Sequence, residues 1–309
     1  MRIFTLTLNP AFDVHASLSR LEKYAENLAT VTDRDAGGKG VNISRALLAA
    51  DKKSLALVAV GEENGEEFCR ALEADGIAFH TFFVAGRIRE NLTFHEEGAP
   101  ETRISFGGLS ADRSLLLAVE EYLDMQASEH DVLTLTGRLP SGLEMSEVKA
   151  FLCRMKDKGV RLVIDSRSFS LDDILDVMPW LIKPNEEEAC AYLGKEAASL
   201  ADAKEGACRL QRAGIENVML SLGKKGALLA TSEGAWLAEA PVVKPISTVG
   251  AGDSSIAGFL AAVSEGKSIE QALCTAVAYG TAACLQAGTK PPVKTDVARL
   301  LPAVQLKSI

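Results

Sequence analysis

The 309-residue chain is 47% hydrophobic and 24% charged, an ordinary balance for a globular protein and far from the disordered class. Its net charge of −9, without a lysine- or arginine-rich run, argues against nucleic acid or an anionic membrane as a partner. Six cysteines with no CxxC pair and four scattered histidines argue against a disulfide framework or a zinc site, and fit reduced core thiols in a cytoplasmic protein.

Arg2–Leu8 reads as a strand, too short for a secretory signal and ended by Asn9-Pro10. A polar stretch with little periodicity runs to Asp35. Lys39–Ala50 then reads as a helix, with Val41, Ala46, Leu47 and Ala50 on its apolar side. From Ser54 onward strands and helices alternate. Leu55–Val60, Val132–Leu135, Val160–Ile164 and Asn217–Ser221 are short continuous apolar runs. Gly65–Ala74, Glu144–Lys158, Asn185–Leu193 and Leu200–Ala213 carry helical patterns, as do Ser254–Glu265 and Ile269–Gln286. Apolar strands separated by amphipathic helices predict a mostly parallel sheet covered on both faces. Two segments break the rhythm, about 10–35 and 77–107, where shorter alternating strands such as Asn91–His95 and Thr102–Phe106 predict a small sheet acting as a lid. No apolar run is long enough to span a bilayer, and one domain over 1–309 is expected.

Thr248-Val-Gly-Ala-Gly-Asp253 precedes an apolar helical run. Its glycines let successive backbone N–H groups converge at a helix N-terminus, a site for an anion such as a transferring phosphoryl group. Asp253 at the rim is placed to accept a proton from an attacking hydroxyl, although a turn with an acidic N-cap explains the segment equally well. Ala36-Gly-Gly-Lys-Gly-Val-Asn42 opens another helix and offers close backbone approach, a cation and an amide. In Lys183-Pro-Asn-Glu-Glu-Glu188, capping alone accounts for Asn185 and Glu188, and Ser221–Ala227 reads equally as a hairpin turn. GxxxxGK[ST] is absent, and neither Gly38-Lys-Gly40 nor Gly250-Ala-Gly252 has the third glycine of a dinucleotide fingerprint.

Taken in order, these motifs resemble the PfkB carbohydrate kinase family, with its ribokinase-like three-layer α/β/α fold. The resemblance runs from Thr7-Leu-Asn-Pro-Ala-Phe-Asp13 through Gly37–Asn42, Gly86-Arg-Ile-Arg-Glu-Asn91, Thr136-Gly-Arg-Leu-Pro-Ser-Gly142, Lys183–Glu188 and Ser221–Gly226 to Ser247–Asp253. The opening motif and Arg-x-Arg-x-Asn are similar to the branch acting on sugar phosphates, that of 1-phosphofructokinase and tagatose-6-phosphate kinase, the former nearer. The resemblance implies ATP and Mg²⁺ as cofactors, leaves K⁺ activation open, and adds a homodimer through the lid as an expectation. It also implies roles. Asp13, Gly38 and Asn42 would contact sugar hydroxyls, and Lys39 and Arg89 the substrate's own phosphate. Lys183, Asn185 and Glu188 would lie around the nucleotide phosphates and the metal, with Glu188 on the metal. Ser221, Gly223 and Gly226 would line the nucleotide site, and Val277, Thr281 and Cys284 border the adenine. Gly250, Ala251 and Gly252 would form the anion hole and Asp253 the base. Arg138 departs from the pattern, standing where family members carry a small hydroxyl, which puts the exact sugar in doubt and suggests a further phosphate contact. Three other readings stay open. They are the same chemistry on an unphosphorylated sugar or nucleoside, a non-enzymatic sugar-phosphate sensor, and a nucleotide-binding oxidoreductase, the last disfavoured by the missing fingerprints.

Overall fold

The computed structural model describes residues 1–194 and 199–309, arranged as two sheets and their covering helices. Strand β1 (Ile3–Thr7) is buried at every position, as befits a parallel strand covered on both faces. The chain then builds β2 (Ala11–Leu18) and β3 (Thr30–Gly37) and returns through helix α1 (Lys39–Ala49) to β4 (Leu55–Gly61). Helix α2 (Gly65–Ala74) leads to β5 (Phe79–Val84), after which β6 (Arg89–Glu96) and β7 (Thr102–Ser105) come back beside β2. The alternation continues through α3 (Arg113–Gln126), β8 (Val132–Thr136), α4 (Met145–Asp157), β9 (Arg161–Asp165), α5 (Leu171–Val177) and β10 (Leu181–Ile182). Helices α6 (Glu186–Leu193) and α7 (Leu200–Arg212) precede β11 (Asn217–Ser221), β12 (Gly226–Thr231) and β13 (Gly234–Glu239). Helices α8 (Ala251–Ser264), α9 (Ile269–Ala283) and α10 (Lys294–Leu300) and strand β14 (Gln305–Ser308) complete the chain.

The large sheet has the order β14-β13-β12-β11-β10-β9-β8-β1-β4-β5. Neighbours from β5 to β11 are parallel and those from β11 to β14 antiparallel. Successive strand residues feed opposite layers, as the pleat requires. Leu133 and Ile164 pack with Leu116, Val119 and Leu123 of α3, Phe151 of α4 and Leu210 of α7. Their neighbours Val132 and Val163 pack with Ile43 and Leu47 of α1, Phe259 of α8 and Leu273 of α9. This is the expected three-layer arrangement. Helices α8 and α9 approach closely because Gly258 lacks a side chain: a Cβ there would lie 2.7 Å from the Tyr279 ring.

The small sheet has the order β3-β2-β6-β7. Its inner apolar residues Phe12, Val14 and Ala36 share a cluster with Val58, Phe68 and Ile88, and the Arg34 guanidinium lies 3.7 Å above the Phe12 ring. Its register sets Asp13 opposite Asn91 on one side and Asp35 on the other.

Three details differ from the sequence pattern. Phe79–Val84 joins the edge of the large sheet beside β4, so within 77–107 only β6 and β7 enter the small one. As an edge strand β5 is mostly half-buried, so its composition does not separate it from a strand of the small sheet. Helix α8 starts at Ala251, earlier than Ser254, because Gly250 takes a left-handed φ of 77° and caps it; Asp253 therefore lies inside the first turn. Helices α3 and α5 fill stretches where no element was expected. Among the described residues no disulfide occurs, and no helix is long and apolar enough to cross a membrane.

Candidate active site

A cleft of about 470 Å³ opens where the small sheet faces the carboxyl ends of β1, β8, β9 and β10, the usual place for a ligand in a parallel sheet. Six lysine and arginine side chains and four carboxylates line it. A chain of net charge −9 thus gathers an excess of positive charge at this one place, as an anionic ligand requires.

The turn before α8 forms one wall. Gly250, Gly252 and Asp253 line the cleft, while Ala251 begins the helix beside them. Asp253 is buried at 6% exposure, and its Oδ2 accepts from Asn42 Nδ2 at 2.9 Å. Arg45 donates to Asn42 Oδ1 at 3.1 Å, which fixes the amide with its N–H₂ toward the aspartate. Burial pushes the Asp253 carboxyl up to about 6, partly opposed by the Lys39 charge and the Asn42 hydrogen bond. A carboxylate so tuned is ionised at neutral pH yet still has appreciable basicity.

Asp165 at the end of β9 has the opposite surroundings. Lys39 Nζ lies 3.0 Å from its Oδ2 and Lys183 Nζ 3.7 Å. Burial alone would raise this carboxyl, but the ammonium groups of Lys183 and Lys39 outweigh it and hold it below the usual range. Burial likewise disfavours the Lys39 charge, but Asp165 and Asp253 overcome this and raise it. A Cβ on Gly252 would lie 3.1 Å from Lys183 Nζ, so this ammonium sits against the glycine turn.

Asn185 and Glu188 form a full capping box at the start of α6: Asn185 Oδ1 accepts from Glu188 N at 2.8 Å, and Glu188 Oε2 accepts from Asn185 N at 3.0 Å. Both also line the cleft, and Glu188 Oε1 accepts from Arg167 Nε at 2.8 Å. Capping and ligand binding are therefore compatible here. Mg²⁺ in such sites keeps water and phosphate oxygens and takes one or two carboxylates. Glu188 at the cleft edge, with Asp165 behind it, suits that mode. No group of three potential metal ligands occurs among the described residues.

On the small-sheet side, Asp13 is buried and its Oδ1 accepts from Asn91 Nδ2 and Arg103 Nη2, each at 2.9 Å. A Cβ on Gly37 would collide with Asp13 Oδ2, so the glycine admits the carboxylate. Gly38 caps α1 at φ 126°. Arg89 donates to the carbonyls of Phe106 at 3.1 Å and Asn9 at 3.4 Å, and its Nε is buried without a partner. Burial, reinforced by the nearby charges of Arg138 and Arg103, lowers the Arg89 pKa.

The structure thus brings Asp13, Gly38, Lys39, Asn42, Arg89, Arg138, Lys183, Asn185, Glu188, Gly250, Gly252 and Asp253 to one cleft. It sets the other expected residues outside that lining. Ser221 is tied to Pro184 O through its N–H at 3.0 Å. Gly223 lies in a short 3₁₀ turn, and Gly226, at φ 109°, starts β12. Val277 and Thr281 are buried in α9, where Thr281 Oγ1 donates to Val277 O at 2.7 Å. The Cys284 carbonyl accepts from Ile246 N at 2.7 Å. Sequence reasoning missed Asp165, Arg103, Arg167 and Thr289, all cleft-lining. For Asp165 a signal existed: a carboxylate closing an apolar parallel strand.

The pfkB family carbohydrate kinase model matches residues 13–296. A 1-phosphofructokinase from Vibrio cholerae is 32% identical over 258 residues, 83% of this chain and 81% of its own length. One from Bacillus subtilis is 31% identical over 307 residues, 98% of this chain and 99% of its own. The crystal structure of phosphofructokinase-2 from Escherichia coli in complex with substrates and products superposes with a TM-score of 0.92 at 26% identity, covering 98% of this chain and 99% of that one. The matched segment takes in Asp13, the glycine turn and every cleft residue between them, and the chain belongs to the pfkB family of carbohydrate kinases.

Proposed function

We propose that the protein transfers the γ-phosphoryl group of ATP to the free primary hydroxyl of fructose 1-phosphate, giving fructose 1,6-bisphosphate and ADP. The observation that carries this is the placement of Asp253, a buried carboxylate at a glycine turn, across one cleft from the arginines of the small-sheet side. Relatives named 1-phosphofructokinase support the choice of sugar.

In this reading Asp13, Asn42 and Gly38 hold sugar hydroxyls, while Arg89, Arg138 and Lys39 face the existing phosphate. The Asp253 carboxylate accepts the hydroxyl proton as the oxygen bonds to the γ-phosphorus and the bond to the β-bridging oxygen breaks. The Gly250–Gly252 amides and Lys183 stabilise negative charge on the moving group. Asn185, Ser221, Gly223, Gly226 and the 277–284 stretch serve the nucleotide. Bound Mg²⁺, held through Glu188, would screen the triphosphate charge. K⁺ activation is part of the proposal, since an E. coli phosphofructokinase-2 structure carries potassium. The small sheet closes over the sugar as a lid and excludes water. Exposed Val31, Ile104 and Phe106 at that sheet support association through it, and the absence of a membrane-crossing helix among the described residues fits a cytoplasmic enzyme.

The test is a coupled assay of ADP release over fructose 1-phosphate, fructose 6-phosphate, tagatose 6-phosphate and free sugars. Fructose 1-phosphate is expected to give the highest kcat/KM. Preference for tagatose 6-phosphate would replace the acceptor, and preference for a free sugar would remove the phosphate from the reading.

A further inference from the structure

We infer that Arg103 determines specificity by occupying Asp13 until a substrate phosphate draws it away. The inference rests on the sugar-phosphate reading and names how the same site turns free sugar aside.

Arg103 stands on β7, an edge strand whose four residues are all exposed. Its side chain is 39% exposed, yet its guanidinium reaches the buried Asp13 carboxylate, Nη2 to Oδ1 at 2.9 Å. The same oxygen also takes the Asn91 amide at 2.9 Å. A sugar hydroxyl approaching Asp13 Oδ1 therefore meets an oxygen already engaged twice.

The rest of the cleft shows what would release it. Arg89 and Arg138 line the same cleft with their charges near each other, and among the described residues neither forms an ion pair with a carboxylate. Arg89 donates to two backbone carbonyls and keeps a buried Nε with no partner. Of these three arginines, Arg103 is the one paired with a carboxylate, Asp13. A dianionic phosphate among them gains most by recruiting the third, because guanidinium groups grip phosphate through paired hydrogen bonds. Arg103 is free to move: its strand is exposed, and a half-exposed ion pair is weak. Once it turns to the phosphate, Asp13 keeps Asn91 and regains lone pairs for a sugar hydroxyl. A free sugar brings no anion and must compete with the guanidinium. Discrimination then comes from an obstacle to the wrong ligand as well as from a contact to the right one.

The test compares kcat/KM for fructose 1-phosphate and for fructose in the parent, Arg103→Met and Arg103→Lys, with thermal unfolding as a fold control. Arg103→Met is expected to lower kcat/KM for fructose 1-phosphate roughly tenfold or more through KM. It should raise kcat/KM for fructose about severalfold, with Arg103→Lys between. Added inorganic phosphate is expected to stimulate fructose turnover in the parent and not in Arg103→Met. A parallel loss on both substrates would make Arg103 a fixed support for Asp13 and overturn the inference, as would no phosphate stimulation in the parent. A parent with no preference for the phosphorylated sugar defeats the sugar-phosphate reading itself. A parental preference that survives in Arg103→Met defeats only the role of Arg103.

Discussion

Asp253 at the start of α8 and Asp165 at the end of β9 are buried in the same cleft, at 6% and 5% exposure, and are pushed in opposite directions. Asp253 has one neutral donor, Asn42, and among the described residues no cation within ion-pair distance, so burial wins and its carboxyl rises to about 6. Asp165 has two ammonium groups against it, so it stays ionised despite equal burial. The identity of the residue decides neither outcome. What decides is whether the fold delivers a lysine to that carboxylate, and α1 delivers Lys39 to Asp165 while delivering Asn42 to Asp253. One carboxylate is left with raised basicity, and the other is held ionised beside two ammonium groups.

The largest effect that could break this contrast is at Asp253. Asp253→Asn is expected to lower kcat by roughly 10²–10⁴-fold or more while ATP binding persists; near-normal turnover would end its assignment as the base. The parent's kcat/KM should fall on the acid side of about pH 6, as Asp253 takes up its proton, and a profile flat to pH 5 would contradict this. Stability has the reverse sign. A carboxyl raised from 3.8 to about 6 favours the folded state below its unfolded value, and this contribution is lost as pH rises through about 6. At pH 8 Asp253→Asn should therefore melt no lower than the parent, with a gain of up to about 3 kcal/mol.

Asp165→Asn should behave oppositely in the same melting experiment. Its lowered carboxyl stabilises the fold above the unfolded value, and that is lost only as pH falls through the lower folded value. Leaving Lys183 and Lys39 without their counter-ion is expected to cost about 3 kcal/mol at pH 8. Equal melting of the two variants would show that the lysines do not distinguish the two sites.

Arg89→Ala is expected to raise KM for the sugar phosphate at least about tenfold and leave KM for ATP nearly unchanged. An unchanged KM would place Arg89 in a purely structural role, tying β6 to the Asn9 and Phe106 carbonyls. The smallest effect is at Glu188. Glu188→Gln should raise the Mg²⁺ requirement and lower kcat more than stability. Loss of the capping box alone would instead cost on the order of 1 kcal/mol with Mg²⁺ dependence unchanged, so melting and Mg²⁺ titration of one variant separate the two.

Several of these residues were legible in the sequence because a local pattern carries them. Gly250-Ala-Gly-Asp253 before an apolar run and Gly37-Gly-Lys-Gly before another mark helix starts, since glycine takes the φ of 77° and 126° that those turns use without steric cost. Helix α3 is equally local, with Asp112 capping Ser114 N and Leu115, Leu116, Val119 and Leu123 on one face. Edge strand β5, Phe-His-Thr-Phe-Phe-Val, is mostly half-buried, and no local pattern in it says which sheet it joins. Arg103 had no such signal: in Thr102-Arg-Ile-Ser105 it reads as one more solvated strand residue.

By itself the sequence determined the layer order and the glycine turns, because strand periodicity, helix periodicity and glycine conformation act over a few neighbouring residues. Only the tertiary structure decided which charges meet. Asp13 and Arg103 are joined across the order β2-β6-β7, Lys39 and Asp165 across 126 positions, and Asn42 and Asp253 across 211. Burial and the distance between charges set the protonation of each carboxylate, and both are properties of the packed chain that no local pattern contains.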